Sequence, residues 1–369
     1  MPRLNHGPGL SCLALVIDAL GGTGGIAQYN RDFFAVLAAP PIFATMTILP
    51  RNPGASIGIP ERMIQAHPRR GRLLYAVGAV AAAIKQRPDI VFCGHFHLAP
   101  LAAAIARLTH APLIVQTHGI EVWPAPSRLR RLAVELADLV LSVSRHTRAA
   151  VLAWADIPPE RVIVVPNTIA DRFKPGDRSA LRAAWSLAGK RILLTVARLD
   201  ARERYKGHDR VISALPELLA RGHDIAYVVI GEGEDRSRLI EIARRLGIAD
   251  RVRFVGFASP EILVRSYRMA DLLVMPSTGE GFGLAFIEAM ACGTPALGLA
   301  VGGARDALGE GELGIMLSHE DDLAAAIDRL LVEVPQNREA LASATRARFG
   351  RHAFAHRVFL ALDRIPFPA

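Results

Sequence analysis

Short apolar runs alternate with segments of helical spacing along most of the chain. The runs are typical of strands buried in a parallel sheet, and apolar residues three or four positions apart indicate helices between them. Strands are predicted over residues 13–18, 42–49, 89–93, 113–117, 139–143, 162–165, 191–197, 226–230, 252–255, 272–275 and 296–299. Helices are predicted over residues 26–37, 73–86, 98–108, 128–137, 178–187, 235–246, 284–291, 320–333 and 338–362. The alternation predicts an α/β fold.

A proline-bearing connector over residues 166–176 divides this pattern. The chain has 369 residues, enough for about two domains of ordinary size. We therefore expect a first domain over residues 1–172 and a second over residues 173–348. Residues 349–369 end a helical stretch that lies beyond the alternating pattern, and they are expected to pack back on the first domain.

One sequence pattern occurs in both predicted domains. Asp138 follows an alanine at a predicted helix end and precedes an apolar strand and a serine, and Asp271 does the same. The echo suggests two similarly built domains, although a single echo does not prove a repeat.

Composition favours packed domains over disorder, because 51% of the residues are hydrophobic and 21% are charged. Cys12, Cys93 and Cys292 are scattered without metal-ligand spacing, so we interpret them as reduced core residues in a reducing compartment. The polar start has no leader pattern, and no apolar segment reaches the ~20 residues that span a bilayer. We expect a cytoplasmic protein in which the alanine-rich helix over 73–84 is a core helix.

The net charge of +9 and the isoelectric point near 10.1 need a cause. The arginine clusters of the first half are Arg69, Arg70, Arg72, Arg128, Arg130, Arg131, Arg145 and Arg148. Such a surface suits nucleic acid, an anionic membrane or a phosphorylated substrate. No aromatic and basic interleaving accompanies the arginines, which disfavours nucleic acid. Our hypothesis is peripheral contact with an anionic membrane surface on the inner face of the cell membrane; the alternative is a solvated basic surface.

The most informative stretch runs from Ser277 to Pro295, where an apolar strand leads into a glycine loop and a helix. Glu280 lies among the glycines, and Glu288 follows eight residues later, about two helical turns on. Ligands of open α/β sheets bind outside the carboxyl ends of the strands. Carboxylates accept from hydroxyl groups and a helix N-terminus binds phosphate, so the stretch suits a polyhydroxylated, phosphate-bearing ligand. The alternative is a helix-dipole partner and a solvated helix residue.

A second glycine loop, Gly21 to Gly25, follows the first predicted strand and precedes a helix. Gly22, Gly24 and Ala27 satisfy the loose dinucleotide pattern, so a nicotinamide enzyme must be considered. That class expects an acidic residue after the second strand, where this chain has proline and Arg51. The NAD version is excluded, and Arg51 leaves an NADP version open.

Histidines follow two first-domain strands, in Gly94-His95-Phe96-His97 and in His118-Gly119-Ile120-Glu121. They lie on separate loops and lack the spacing of a ligand pair on one helix, so no metal site is expected. His118 is predicted to contact a sugar or to donate to a carbonyl; the alternative is a structural histidine at a strand end.

The loop after the strand over 191–197 carries Arg198 and Lys206. Two cations on one loop at a strand end can clamp a diphosphate and stabilise it as it departs; the alternative is a pair of exposed surface charges. Arg202 and Arg204 are interpreted as surface charges. Residues 256–258, after the next strands, are expected where a nucleotide base meets backbone groups.

Together these features resemble the retaining glycosyltransferases of family 4. The most specific match is the pair Glu280 and Glu288 within Gly-Glu-Gly-Phe-Gly and before Gly-Thr-Pro. The other matches are Gly24-Gly25, His118-Gly119, Pro166-Asn167, and Arg198 with Lys206-Gly207. The resemblance covers nearly the whole chain and implies the GT-B fold, with two Rossmann-like domains facing across a cleft.

The resemblance also implies residue roles. The donor-contacting positions are Gly24, Gly25, Arg198, Lys206, Gly256, Phe257, Glu280, Gly281, Phe282, Gly283, Leu284 and Glu288. Arg198 and Lys206 bind the diphosphate, Glu288 the ribose and Glu280 the sugar. His118, near the reacting centre, completes the catalytic set. No protein nucleophile, cofactor or metal is expected, and the long loop between Arg198 and Lys206 departs from the family pattern.

The implied activity is transfer of a hexose from a nucleotide-diphosphate sugar to a hydroxyl of a glycan or lipid-linked acceptor, in polysaccharide or glycolipid synthesis. GDP-mannose is the first expectation for the donor and UDP-glucose the next. Acceptor choice is assigned to variable loops that include residues 51–72. Two alternatives stay open: a GT-B-type sugar-nucleotide epimerase and a non-catalytic nucleotide-sugar sensor.

Overall fold

The computed structural model describes residues 9–18, 20–22, 24–38, 43–52, 62–68, 71–319, 322–332 and 337–365. It divides the chain into two compact units. The first comprises Met1–Thr168 together with Arg351–Ala369, and the second comprises Ile169–Gly350.

The described part of the first unit contains a parallel sheet of seven strands in the order β3-β2-β1-β4-β5-β6-β7. The strands are β1 (Leu10–Val16), β2 (Phe43–Pro50), β3 (Met63–Gln65), β4 (Ile90–Cys93), β5 (Leu113–Thr117), β6 (Leu139–Ser142) and β7 (Val162–Val164). The helices are α1 (Gly25–Ala38), α2 (Arg72–Gln86), α3 (Ala99–Thr109), α4 (Arg128–Glu135) and α5 (Arg145–Trp154). The strand order reverses direction between β1 and β4, so a crevice opens there at the carboxyl ends of the strands.

The second unit has the same plan, with six parallel strands among its described residues in the order β10-β9-β8-β11-β12-β13. The strands are β8 (Arg191–Val196), β9 (Ile225–Ile230), β10 (Val252–Gly256), β11 (Leu272–Met275), β12 (Ala296–Leu299) and β13 (Ile315–Leu317). The helices are α6 (Ser179–Ala184), α7 (His208–Ala220), α8 (Arg236–Arg245), α9 (Pro260–Met269), α10 (Leu284–Ala291), α11 (Ala304–Ala307), α12 (Leu323–Val332) and α13 (Arg338–Phe349). Here the order reverses between β8 and β11.

The echo between Asp138 and Asp271 has a structural cause. Asp138 accepts a hydrogen bond from the backbone N–H of Leu113 at the start of β5, at 2.8 Å. Asp271 accepts one from Ile192 in β8, at 2.7 Å. Each aspartate precedes a strand and joins it to the neighbouring strand. The two aspartates therefore make the same strand-to-strand hydrogen bond in two similarly built α/β units.

The C-terminal stretch predicted as one helix over 338–362 is two helices, and that prediction was wrong. The chain is extended at Gly350, between α13 and α14 (Arg351–Leu362). Helix α13 packs on α10 in the second unit, whereas α14 packs on α1 in the first. Phe354 of α14 places its ring edge-on to Tyr29 of α1, with centroids 5.8 Å apart. The expected return of the C-terminal helix to the first domain is confirmed.

Helix α2 differs from the expected core helix. Its small residues face inward with Tyr75, and Ala79 and Ala83 are buried. Its large aliphatic residues face outward, including Leu73, which is 82% exposed. The prediction was wrong for that face, because periodicity locates an apolar stripe without showing which stripe meets the sheet.

Some predicted elements shift or lie outside the description. The variable loop over 51–72 contains the short edge strand β3, which the sequence did not predict. The ends of the predicted helix over 320–333 lie outside the described residues, as do Thr23, Arg69 and Arg70. Among the described helices, none combines the length and the apolar character needed to cross a membrane.

Candidate functional site

The second unit brings Lys206 and Glu280 together at the point where its strand order reverses. Lys206 lies beyond the end of β8 and Glu280 beyond the end of β11, and these strands are neighbours. The ammonium of Lys206 donates to a carboxylate oxygen of Glu280 at 2.8 Å. The two side chains are only 15% and 6% exposed. A buried cation and anion thus meet where α/β sheets bind ligands.

Lys206 is positioned by a short 3₁₀ segment, Ala201–Lys206, where the sequence predicted an irregular charged loop. The segment ends at Gly207, whose φ of +78° only glycine adopts without strain. A Cβ atom there would lie 2.6 Å from the carbonyl oxygen of Pro276. The backbone N–H of Thr278 also donates to the carbonyl of Tyr205, at 2.9 Å. These contacts fix the lysine segment against the loop after β11.

Glu280 is positioned by the glycine turn that follows β12. The backbone N–H of Gly303 donates to the carbonyl of Glu280 at 2.7 Å. A Cβ atom on Gly303 would lie 2.1 Å from the carbonyl oxygen of Gly281, so only glycine fits. At the far end of the loop, Gly283 has φ +99° and precedes the first residue of α10. The predicted glycine turn over 301–304 therefore holds the carboxylate loop in place.

Glu288, on α10, accepts a hydrogen bond from the hydroxyl of Tyr267 at 2.8 Å. Tyr267 is fully buried, and burial together with the neighbouring carboxylate raises its pKa well above the usual value. It therefore remains a protonated donor at any working pH. Sequence reasoning missed Tyr267, because nothing in the local pattern links a tyrosine on α9 with a glutamate on α10.

Arg198 is 74% exposed and forms an ion pair with Glu203 of the 3₁₀ segment. The other carboxylate oxygen of Glu203 is buried and has no partner among the described residues. The two predicted cations therefore face separate carboxylates, Arg198 with Glu203 and Lys206 with Glu280. The loop that looked unusually long supplies the carboxylate that holds Arg198.

Arg202 and Arg204 were both interpreted as surface charges, and the structure separates them. Arg202 is exposed and pairs with Asp200 on the same loop. Arg204 donates to the buried carboxylate of Asp235, at 3.0 Å, and Arg238 donates to the same aspartate. Both arginines are exposed, as interpreted, but Arg204, 56% exposed, also joins the site loop to the start of α8.

The loop expected near a nucleotide base lies beside the turn over residues 231–234, and this turn packs on the loop of Arg198. The carbonyl of Gly256 accepts from the N–H of Gly231 at 3.0 Å, and the N–H of Phe257 donates to Glu232 at 3.2 Å. Gly233 of the same turn has φ +152°, and a Cβ atom there would lie 2.1 Å from the carbonyl oxygen of Leu199. Phe257 itself is exposed. An exposed aromatic ring thus follows β10, which is separated in the sheet by β9 from β8, the strand that Arg198 follows.

Phe282 does not present its side chain to the site. It is buried, with its ring 5.6 Å from that of Phe349 and edge-on to it. Leu284 is half-buried at the start of α10. Contacts from this part of the predicted donor loop are therefore left to the backbone at Gly281, Phe282 and Gly283.

In the first unit, His118 follows β5 and is held on three sides. Its Nε2 lies 3.0 Å from the carbonyl oxygen of Gly94, which only accepts, so Nε2 carries the proton and Nδ1 is left as an acceptor. Its backbone N–H donates to Glu121 at 2.5 Å, and the ring of Tyr29 stands edge-on at 5.3 Å. Burial lowers the pKa of His118, so the neutral form dominates at pH 7.

His95 and His97 lie close to His118. The Nδ1 atom of His95 accepts from the backbone N–H of His97 at 3.1 Å, and the His95 ring centroid lies 6.0 Å from that of His118. Burial lowers the pKa of His95 to about 3. Nowhere in the described part of the chain do three or more His, Cys, Asp or Glu side chains form a group that could hold a metal ion.

The first glycine loop ends at the start of α1. Gly24 has φ +89° with open space where a Cβ atom would lie, and its carbonyl accepts from the N–H of Gln28 at 3.0 Å. Gly25 is the first helical residue. The guanidinium of Arg31 donates to the carbonyl of Gly22 at 2.6 Å and so holds the loop from the helix side. Sequence reasoning missed this arginine.

Two family models cover most of the chain. The model described as "Glycosyltransferase Family 4" matches residues 24–172, and the one described as "Glycosyl transferases group 1" matches residues 177–348. One match falls largely within each of the two α/β units, and together the matches include every predicted site residue.

The curated relatives that this chain matches carry glycosyltransferase names. The D-inositol 3-phosphate glycosyltransferase 1 of Catenulispora acidiphila is 30% identical over 339 residues, which cover 84% of this chain and 80% of the relative. The D-inositol 3-phosphate glycosyltransferase of Geodermatophilus obscurus is 35% identical over 240 residues, covering 62% of this chain and 52% of the relative. The chain thus matches about half the length of the Geodermatophilus protein.

A solved structure supports the fold. The crystal structure of Anabaena HepE in complex with UDP superimposes with a TM-score of 0.79 at 22% identity, covering 96% of this chain and 100% of the other. At that identity the likeness establishes the two-domain α/β fold and nothing finer.

Proposed function

This chain belongs to the family 4 glycosyltransferases, and on that premise we propose that it transfers a hexose from a nucleoside-diphosphate sugar to an acceptor hydroxyl. The observation that carries the proposal is the buried pair of Lys206 and Glu280 at the strand reversal of the second unit. The pair joins a cation suited to a diphosphate with a carboxylate suited to sugar hydroxyls.

The remaining roles follow from the chemistry of each group. Arg198 and Lys206 bind the diphosphate and stabilise the charge that it gains on leaving. Glu280 accepts from hydroxyls of the sugar, and Glu288 accepts from those of the ribose. The exposed ring of Phe257 and the backbone of Gly256 are proposed to meet the base.

The proposed reaction retains the anomeric configuration. The bond between the anomeric carbon and the leaving phosphate oxygen breaks, and the acceptor oxygen bonds to the same face of that carbon. The proton of the acceptor hydroxyl passes to the leaving phosphate. No metal is required in this proposal, because Arg198 and Lys206 supply positive charge. With Nε2 donating to the carbonyl of Gly94, His118 offers Nδ1 to a sugar hydroxyl near the reacting carbon.

The donor base and the acceptor are the finer parts of the proposal. The sequence favoured GDP-mannose, whereas the HepE structure contains UDP, so UDP-glucose deserves an equal place in the first assays. The relatives' names point to a phosphorylated cyclitol as one acceptor class. A glycan or a lipid-linked acceptor at an anionic membrane surface is the other. Three buried unpaired thiols support a cytoplasmic location.

A thermal-shift panel with UDP, GDP, ADP and NADPH, each with EDTA or a divalent metal, tests the donor site first. A nucleotide at a hundred times its dissociation constant stabilises the fold by about 2.7 kcal/mol. We expect a shift with UDP or GDP that EDTA leaves unchanged. Lys206→Ala should reduce this shift. Arg202→Ala, which changes an exposed arginine on the same loop, is the control and should keep the shift. A shift with NADPH alone would replace the proposal by a dinucleotide enzyme.

Transfer is then assayed with the matching sugar nucleotide, and proton NMR reads the new linkage. An α-linked product from an α-linked donor is expected. A β-linked product contradicts the retaining mechanism. Epimerised donor without acceptor identifies an epimerase, and tight donor binding without turnover on any acceptor identifies a sensor.

A further inference from the structure

Helix α2 of the first unit exposes a row of large aliphatic side chains. Leu73 is 82% exposed, and Leu74, Val77 and Ile84 are also exposed. The opposite face of the helix packs on the sheet through Tyr75 and small residues. A helix that places its alanines inward and its leucines outward leaves apolar area in water, and this arrangement marks an interaction surface.

Helix α4 repeats the arrangement. Leu129, Leu132 and Leu136 follow one another at helical spacing, and all three are exposed, Leu129 by 66%. Ala133 and Val134 of the same helix are buried. Helix α3 packs against both α2 and α4, so the two rows flank it on one face of the sheet. The α2–α4 surface is defined as Arg72, Leu73, Leu74, Val77, Arg128, Leu129, Arg131 and Leu132.

The α2–α4 surface lies at the edge of the sheet that carries His118. Helices that connect parallel strands begin at the carboxyl edge, and these residues occupy the first turns of α2 and α4. The hydroxyl of Tyr75 donates to the carbonyl of Leu49 near the end of β2, at 2.9 Å, which ties α2 to this edge. The guanidinium of Arg130 lies over the ring of Phe96, beyond the end of β4, at 5.9 Å.

The excess positive charge of the protein belongs entirely to this unit. The first unit has 19 Lys and Arg against 10 Asp and Glu, and the second has 25 of each. The net charge of +9 is thus confined to the unit that exposes the leucines. Arg72, Arg128 and Arg131 are exposed and lie among them.

We propose that the α2–α4 surface docks on an anionic lipid bilayer. Arginines beside outward leucines on helices lying along a surface suit the boundary between headgroups and acyl chains. Nucleic acid would leave the leucines in contact with charged phosphates, and a second copy would bring together two surfaces of the same charge. The surface holds no residue of the proposed donor site. The proposal rests on the proposed function in one respect, because the docked surface would present a lipid-linked acceptor to the edge of the sheet that carries His118.

Sedimentation of the full chain with vesicles tests this docking. We expect binding to phosphatidylcholine vesicles that contain phosphatidylglycerol, little binding to phosphatidylcholine alone, and release in about 1 M salt, where the Debye length falls to about 3 Å. The double variant Leu73→Glu/Leu74→Glu should lower vesicle binding by more than about tenfold, because burial of even one of the two leucines contributes about that much. Arg72→Gln and Arg128→Gln should each lower it about fivefold.

The control is Val332→Glu, which changes an exposed aliphatic residue of the neutral second unit and should bind vesicles like the wild type. The nucleotide thermal shift of every variant should be unchanged, which shows that the variants fold and separates this test from that of the donor site. Absence of wild-type binding at low salt would overturn the proposal. The proposal would also be overturned if the double-leucine variant bound vesicles as strongly as the wild type. The same holds if light scattering showed a wild-type dimer that the double-leucine substitution dissociates.

Discussion

Lys206 and Glu280 are 74 residues apart in the chain, yet their charged groups lie within 2.8 Å. The contact arises because β8 and β11 are neighbours in the sheet and both end at the edge where the strand order reverses. Each residue neutralises the other in the protein alone. Under the proposed function, the diphosphate of a donor would bind the ammonium of Lys206 and the sugar hydroxyls would bind the carboxylate of Glu280, so two contacts would replace this one.

Breaking this pair on one side should lower both stability and turnover. Lys206→Met leaves a buried carboxylate without its cation, and we expect the free energy of unfolding to fall by about 3 kcal/mol. Glu280→Gln leaves the ammonium without its anion and should act in the same direction. Each change should lower the transfer rate by about 10²-fold or more, the scale of losing one transition-state charge contact. Thermal denaturation and a transfer assay measure the two effects.

The double variant Lys206→Met/Glu280→Gln separates them. With both charges removed, no buried charge is left unpaired, so stability should recover towards that of the wild type while transfer stays low. Wild-type transfer by the double variant would show that neither residue acts on the substrate. Unchanged stability in both single variants would show that the ion pair contributes nothing to the fold.

Arg198 should matter more for the nucleotide than for the fold. Its guanidinium is 74% exposed, but its partner Glu203 is only 15% exposed, so Arg198→Ala should lower the melting temperature, by less than Lys206→Met does. Loss of one charge-assisted contact to the diphosphate should weaken nucleoside diphosphate binding by about tenfold or more. Calorimetric titration measures this constant. Arg202→Ala removes a still more exposed arginine four residues away, and its binding should match the wild type. Equal weakening by both variants would point to a general charge effect.

The fold and the main site residues could be predicted because their signals are local. Apolar runs mark the strands, and glycines 279, 281 and 283 mark a loop at the end of β11. Parallel strands end at one edge, so residues that follow them converge. The sequence therefore predicts that Glu280 and Lys206 contribute to one site, and in the structure their charged groups are in contact.

The features that could not be predicted from the sequence depend on contacts between segments that are distant in the chain. Tyr267 reaches Glu288 only because α9 and α10 pack together, and Arg204 reaches Asp235 only because the 3₁₀ segment lies against the start of α8. The outward leucines of α2 were misjudged for a related reason. Only the folded structure shows that the inner face of α2 packs closely against the unit's core, where its small alanines fit.

Tyr267→Phe should reveal whether Glu288 binds the ribose. Loss of the hydroxyl removes one donor from the carboxylate and should cost about 1 kcal/mol of stability. If Glu288 is held ready for ribose hydroxyls, UDP or GDP should bind about threefold or more weakly, whereas inorganic pyrophosphate should bind as before. Tyr227→Phe is the matched control, because its buried hydroxyl donates to Thr195 at 2.8 Å, within the core of the same unit. The two variants should lose similar stability, and only the first should lose nucleotide affinity.

His208 should make the stability of the second unit depend on pH. It is the first residue of α7, it is buried, and its Nε2 has no partner among the described residues. Burial is the main cause that lowers its pKa to about 4; Lys206 and Arg238 lower it further, while Asp209 and Asp235 oppose them. As the pH falls below about 6.5, the unfolded chain binds a proton at this histidine and the folded chain does not. Stability is therefore full above pH 6.5 and falls until about pH 4, by on the order of 3 kcal/mol.

The variant His208→Gln should remove this slope. Other histidines also titrate in this range, so the useful quantity is the difference in melting temperature between wild type and variant at each pH. That difference should shrink steadily from pH 7 to pH 4.5, because only the wild type loses the contribution of a neutral buried imidazole. A constant difference for His208→Gln would mean that its imidazole is charged in the folded protein or reaches solvent there.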